Sequence, residues 1–152
     1  MNLGEALSLL KKEKSRLARL ISLRKDNVFI EKGKKSEFDL NKLSEDINNK
    51  IEKIRELKLR ILKTNISTTV QDEGVSLSEA IIKVNDMRSK IAQLSGLFER
   101  KRSSWYGEKD QNEMVAQLDE SEIEDEIEKI EIEKTKLDDK IQMTNWNTKL
   151  LN

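Results

Sequence analysis

Apolar residues recur along the chain at intervals of three and four residues, which is the spacing of one face of an α-helix. Asn2 is a suitable N-cap for the first run, and Glu5, three residues later, completes a capping box. The sequence therefore predicts a first helix over about residues 3–27, followed by a turn at Gly33, with Val28, Phe29 and Ile30 folding back over the helix end. Its apolar positions are Leu3, Leu7, Leu10, Leu17, Leu20, Ile21 and Leu23.

The next three runs predict helices over about residues 38–63, 77–102 and 120–144. Ser76 with Glu79, and Asp119 with Glu122, are capping pairs for the last two. The second run steps alternately by three and four residues, which is typical of a coiled-coil seam. Its seam is Phe38, Leu40, Leu43, Ile47, Ile51, Ile54, Leu57 and Ile61. The third seam is Leu77, Ala80, Ile81, Val84, Met87, Ile91, Leu94 and Phe98, and the fourth is Ile123, Ile127, Ile130, Leu137 and Ile141.

Between the second and third helices, about residues 66–77 have a different pattern. Residues 66–70 are rich in β-branched side chains, and the sequence Gln-Asp-Glu-Gly at positions 71–74 is a turn signal. These features predict a short β-hairpin that packs on the helices. We expect Asn65 and Asp72 to hold it through side-chain-to-backbone hydrogen bonds.

The amino-acid composition indicates how the predicted helices pack together and whether copies of the chain associate. Charged residues are 38% of the chain, aromatic residues only 4%, and proline is absent, which is typical of long helices or coiled coils. We predict an all-α, elongated four-helix, coiled-coil-like bundle with one short hairpin, as a single domain over residues 1–152. So few aromatic residues leave a thin core, so we expect copies to complete each other's apolar burial in a homo-oligomer, with a protein partner as a further option.

The residue types that are missing exclude several classes of function. The chain has neither cysteine nor histidine, which excludes disulfides and thiolate metal sites and removes the usual general base and a common zinc ligand. We therefore predict no cofactor, and no enzymatic activity. The net charge of zero argues against nucleic acid and against a membrane surface. No apolar run approaches the ~20 residues of a membrane span, and no signal-peptide core is evident, so we predict a cytoplasmic protein.

Charge is nevertheless distributed unevenly. Residues 11–25 include seven basic residues and one acidic residue, a net of +6, whereas residues 119–133 include nine acidic residues and one lysine, a net of −8. One hypothesis is that these segments lie side by side, within or between subunits, where paired fields would set helix orientation. The other is that both are solvated surfaces with local ion pairs.

Two further hypotheses concern chemistry. Glu122 and Asp125 share a helix face, as do carboxylates that bind magnesium in all-α nucleotide pyrophosphohydrolases, although acidic residues on a charge-rich helix usually form a solvated face. A nucleic-acid-binding alternative would use a basic face of Lys11, Lys12, Arg16 and Arg19.

Three of the six aromatic residues, Trp105, Tyr106 and Trp146, lie at predicted helix ends. There they either plug the ends of the bundle or anchor a subunit or partner contact, where aromatic side chains contribute much of the binding energy.

Two blocks of the sequence are similar to blocks of a known family. The first includes Ile61, Thr64-Asn65, Thr69, Gly74, Leu77 and Glu79-Ala80, and the second includes Leu137-Asp138, Ile141-Gln142 and Asn145-Trp146. With Glu5-Ala6-Leu7, Asp86 and Tyr106, they resemble a family of small, mostly uncharacterised bacterial helical proteins, some of which carry the label septicolysin. The resemblance implies an all-helical, oligomeric fold with a small hairpin, and no established activity. The label suggests membrane lysis, which the absence of a secretion signal and of a membrane-seeking helix contradicts.

From these observations we predict a non-enzymatic oligomeric assembly or protein-interaction protein. The candidate structural or interface positions are Asn65, Asp72, Asp86, Trp105, Tyr106, Asn145 and Trp146.

Overall fold

The computed structural model describes residues 1–99 and 115–152 of the chain. Within these ranges it contains four α-helices, which are α1 (Leu3–Asp26), α2 (Leu40–Ser67), α3 (Leu77–Ser95) and α4 (Glu120–Asn147). The described residues form no β-strand, so the all-α prediction is confirmed. Trp105 and Tyr106 lie outside the described ranges. The third helix was predicted to continue to about residue 102, but α3 ends at Ser95 with Gly96 as its C-cap, and residues 100–102 lie outside the described ranges.

Each helix begins at a polar side chain that accepts hydrogen bonds from the first turn. Asn2 and Glu5 form the predicted capping box, since Asn2 Oδ1 accepts from Glu5 N–H at 2.7 Å and Asn2 N–H donates to Glu5 Oε2 at 2.8 Å. As predicted, Ser76 accepts from Glu79 N–H and Asp119 accepts from Glu122 N–H, the latter at 3.4 Å. Asp119 also accepts from Ser121 N–H at 2.8 Å. The second helix begins two residues later than predicted, because Asp39 accepts from the amides of Asn41 and Lys42.

The prediction of a β-hairpin is wrong. Residues 66 and 67 belong to the last turn of α2, where the hydroxyls of Thr64 and Ser67 donate to the carbonyls four residues before them. What remains is a tight turn with one isolated bridge between Thr69 and Ser76, closed by a 2.9 Å bond from Val70 N–H to Val75 O. Because Ser76 already caps α3, no residues are left for two paired strands.

The chain divides into two compact units. The first comprises residues 1–68 and 144–152, in which α1 and α2 run antiparallel. Lys50 Nζ lies 2.6 Å from Glu13 Oε2, and Arg24 donates to Ser44 at 3.2 Å. Residue numbers along α1 therefore rise as those of the facing residues on α2 fall. The loop between these helices contains the predicted turn at Gly33, whose φ is +88°. Phe29 is 92% exposed, so the expectation that residues 28–30 cover the helix end is wrong.

The C-terminal residues 148–152, here called the tail, complete the first unit. Leu3 N–H donates to Thr148 O at 2.8 Å, and Leu150 N–H donates to Met1 O at 3.2 Å. Leu151 N–H donates to Thr64 Oγ1 at 3.0 Å, and Arg60 Nε donates to Leu151 O. The tail is thereby bonded to the start of α1 and to α2, and Leu150 is buried with Leu3 and Ala6.

The second unit comprises residues 69–143. Ion pairs join its parts at Arg88–Asp138 (3.0 Å), Lys90–Glu126 (2.7 Å) and Lys140–Glu73 (2.6 Å). Lys90 follows Arg88 on α3, whereas its partner Glu126 precedes Asp138 on α4, so α3 and α4 run antiparallel. Among its described residues, the buried apolar side chains are Val70, Leu77, Ala80, Val84, Ile130, Leu137 and Ile141.

The predicted seam of α2 is confirmed at five positions. Leu43, Ile47, Ile54, Leu57 and Ile61, here called the inner stripe, are all buried. Ile51 does not belong to it, since 44% of its surface is exposed. At 100° per residue Ile51 lies about 40° from Ile47 and about 60° from Ile54, so it is at the edge of the inner stripe, where it stays partly exposed.

Candidate interaction surface

Several residues that carry the family resemblance lie close together at one end of the first unit. Thr64 is fully buried and accepts from the tail, while Asn2 caps α1 beside that tail. Asn145 is 5% exposed in the last turns of α4, next to Trp146. The resemblance therefore maps in part onto the closure between the N-terminus, the end of α2 and the tail.

Trp146 packs against Gly4 in this closure. A Cβ atom added at Gly4 would come within 2.8–3.0 Å of three carbon atoms of the indole ring, so only glycine permits this approach. The other side of the ring faces outward, because Trp146 is 55% exposed. Trp146 thus both covers the start of α1, as the plug hypothesis expects, and offers an aromatic surface, as the anchor hypothesis expects.

Two buried amide oxygens lie in the same unit. The Oδ1 atoms of Asn65 and Asn145 are shielded from solvent and make no hydrogen bond within the described residues. Buried polar atoms are nearly always paired, so two unpaired oxygens are unusual. Each could still accept a hydrogen bond. For Asn65 this contradicts the predicted side-chain bond to a hairpin.

The turn before α3 is held by backbone geometry and one ion pair. Asp72 has a φ of +62° and Gly74 one of +66°, and aspartate is among the residues that tolerate this left-handed region. The hydrogen bond from Lys140 lowers the pKa of Glu73, and the same contact raises the pKa of Lys140. Asp72 thus serves the turn through its backbone conformation, and Asp86 lies exposed on α3.

Several acidic residues of α4 face solvent. Glu122 and Asp125 are both exposed, and no group of three or more acidic side chains in the described ranges is arranged to hold a metal ion. Glu124, Glu128 and Glu133 also make no ion pair with any described residue. These five carboxylates are therefore unpaired within the described residues, whereas Glu126, Glu131 and Asp138 of the same helix form ion pairs.

The basic residues of α1 are mostly unpaired as well. Glu13 forms ion pairs with Arg16 and Lys50, at 2.7 and 2.6 Å. By contrast, Lys11, Lys12, Lys14, Arg19 and Lys25 are exposed and make no ion pair within the described part of the chain. A shallow groove beside them has an apolar floor and a cationic rim, and its lining residues are Arg16, Arg19, Leu20, Leu23 and Lys50.

Acidification should weaken the contact between α1 and α2. The hydrogen bond from Lys50, assisted by Arg16, lowers the pKa of Glu13 in the folded protein. A depressed carboxyl pKa stabilises the fold above the unfolded-state pKa, and that contribution is lost as the pH falls through the folded-state pKa. We expect the stability difference between the wild type and Glu13→Gln to shrink as the pH falls below about 4.5. Denaturant unfolding at several pH values measures it.

Glu31→Gln is the control for this prediction. Glu31 pairs with Lys34 at 2.6 Å, but both side chains are largely exposed, so the pair contributes little to stability. A difference for Glu13→Gln that stays constant across the acid range would show that the charge on Glu13 does not stabilise the fold.

A second apolar stripe lies on α2, and the sequence analysis did not single it out. Ile51, Leu59, Leu62 and Ile66 are 44–60% exposed and, with Arg55, lie within an arc of about 80°. We call these five residues the outer stripe. Their spacing of four, four, three and four residues is itself a seam pattern, and this signal could have identified them. The inner stripe lies about 120° away around the helix.

No helix in the described ranges is long and apolar enough to cross a membrane. No curated protein matches the chain. Among solved structures it is similar to a functionally unknown conserved protein from Corynebacterium diphtheriae, with 26% identity over 99% of both chains and a TM-score of 0.89. These comparisons carry no septicolysin label. A family model described as a family of unknown function, DUF6847, matches residues 11–150. Since the match covers most of the length of the chain, the chain belongs to this uncharacterised family.

Proposed function

We propose that this protein is a non-enzymatic assembly protein that binds copies of itself through apolar helix faces. The observation that supports this most is the outer stripe of α2, where four large aliphatic side chains at helical spacing remain exposed although the inner stripe is buried. Contiguous exposed apolar surface of this kind commonly marks a protein-interaction site. A cytoplasmic location and a role for a further protein partner remain predictions.

The two alternatives have less support. The unpaired cations of α1 are compatible with phosphate binding, but the net charge of the chain is zero. Salt-sensitive binding of nucleic acid, lost when Lys11, Lys12 and Arg16 become Glu, would establish that alternative. Magnesium-dependent hydrolysis of a nucleotide, abolished by Glu122→Gln, would establish the hydrolase alternative. Membrane lysis, suggested by the septicolysin label, has no supporting feature among the described residues.

Light scattering coupled to size exclusion tests the proposal. We expect a mass at least twice that of the 17.7 kDa chain at micromolar concentration, independent of moderate salt, because the contact buries apolar side chains. Raising the ionic strength would dissociate an assembly held only by surface charge. A well-folded monomer across the micromolar range would contradict the proposal.

A further inference from the structure

The outer stripe has the dimensions and chemistry of a helix-pairing surface. From Ile51 to Ile66 it extends about 22 Å along α2. Its side chains are aliphatic apart from Arg55, whose guanidinium lies 2.9 Å from Glu52 Oε1 on the same helix. The stripe is therefore an apolar ridge with one charged position whose counter-ion is already beside it.

The charges beside the stripe are complementary to those of a copy that runs in the opposite direction. Glu52 and Glu56 flank the outer stripe toward its N-terminal end, and Lys63 lies on the same flank toward its C-terminal end. When two copies of a helix pair antiparallel, equivalent flanks face each other. Lys63 of each copy would then lie between Glu52 and Glu56 of the other, whereas the two Lys58 side chains, on the opposite flank, would lie near each other.

The position of Arg55 also distinguishes the two directions. In a parallel pair in register, each residue of the stripe faces its own copy, so the two Arg55 side chains would repel each other. In an antiparallel pair centred between Ile51 and Ile66, Arg55 lies opposite Leu62, and Ile51 lies opposite Ile66. Leu59, next to the centre, then meets Leu59 of the other copy close to the two-fold axis.

On this basis we propose that the outer stripe of α2 binds the outer stripe of a second copy, antiparallel and two-fold symmetric, with Leu59 at the axis. The proposal rests on the self-assembly proposed above and adds its surface, direction and register. The occupant is this chain itself, because the aliphatic spacing and the charges of the flank with Glu52, Glu56 and Lys63 complement each other under that symmetry.

Single cysteines can test the register directly, because the natural chain contains none. Leu59→Cys should form a disulfide-linked dimer under mild oxidation, since the two Cβ atoms would meet near the axis. Ile51→Cys and Ile66→Cys, mixed in tagged and untagged forms, should link to each other in preference to themselves. The matched control is Ile82→Cys on α3, which is as exposed as Leu59 and should link at least about tenfold less.

Charge insertion provides the second measurement. Leu59→Glu would place two carboxylates near the axis, so we expect the dimer to dissociate at a concentration at least about tenfold higher, while Ile82→Glu leaves the mass unchanged. Circular dichroism confirms that both variants are folded.

The outcomes separate this proposal from self-assembly in general. A monomeric wild type would overturn both. A dimer in which Leu59→Cys links no better than Ile82→Cys would overturn the outer stripe but leave self-assembly standing. Preferential Ile51–Ile51 and Ile66–Ile66 links would overturn the antiparallel direction, and a stable complex with a different protein on the stripe would overturn the second copy as occupant.

Discussion

Replacing Leu150 with alanine should lower the free energy of unfolding by about 2–3 kcal/mol. Leu150 is 8% exposed and belongs to the tail that closes the first unit. Its backbone N–H donates to Met1 O, and this bond survives the substitution. The loss therefore comes from the buried side chain and from the cavity that it leaves. Denaturant unfolding of the wild type and the variant at one fixed protein concentration measures the difference.

The adjacent residue provides a matched control. Leu151 makes comparable backbone bonds, to Thr64 Oγ1 and from Arg60, but its side chain is 45% exposed. Leu151→Ala should therefore cost less than about 1 kcal/mol. Equal losses at the two positions would show that the buried side chain of Leu150 is not what stabilises the tail.

The second large effect is expected at Gly4. Alanine there would bring Cβ to 2.8 Å from a ring carbon of Trp146, so the indole must move outward. Overpacking of this kind costs about 1–3 kcal/mol, which exceeds the gain of about 1 kcal/mol in helix propensity. We expect net destabilisation together with a red shift in Trp146 fluorescence, measured in a Trp105→Phe background so that a single tryptophan reports.

Gly96→Ala is the control for that substitution. Gly96 ends α3 with a negative φ, and the nearest atoms to an added Cβ are at 3.6 and 3.7 Å, an ordinary contact distance. Alanine should therefore be neutral or slightly stabilising there. Unchanged stability and emission for Gly4→Ala would contradict the tight approach of Trp146 to α1.

Local signals in the sequence were sufficient for three of the four helix starts. Asn2 with Glu5, Ser76 and Asp119 each mark a helix start, because a side-chain acceptor three or fewer residues before an unpaired amide can satisfy it without any tertiary contact. The inner stripe was predicted for a related reason, since the helical period alone places Leu43, Ile47 and Ile54 on one face.

The prediction of a hairpin was wrong because β-branched residues only weakly disfavour a helix. They did not stop α2 from continuing to Ser67. Thr64 and Ser67 keep their hydroxyls bonded to carbonyls of α2, and the tail bonds to Thr64 from outside the segment. No pattern within residues 64–70 predicts the contact of Thr64 with Leu151, which is far away in sequence.

The sequence by itself determined four helices and the N-caps of α1, α3 and α4, because each depends on interactions within a few residues. The tertiary structure decided which apolar residues are covered. Ile51 and Ile54 both fit the seam spacing of α2, yet Ile51 is exposed and Ile54 is buried. It likewise decided that the tail and Trp146 close over Leu3 and Gly4. Burial depends on surfaces that segments far apart in the chain bring together, and periodicity along one helix does not determine which of its faces another segment will cover.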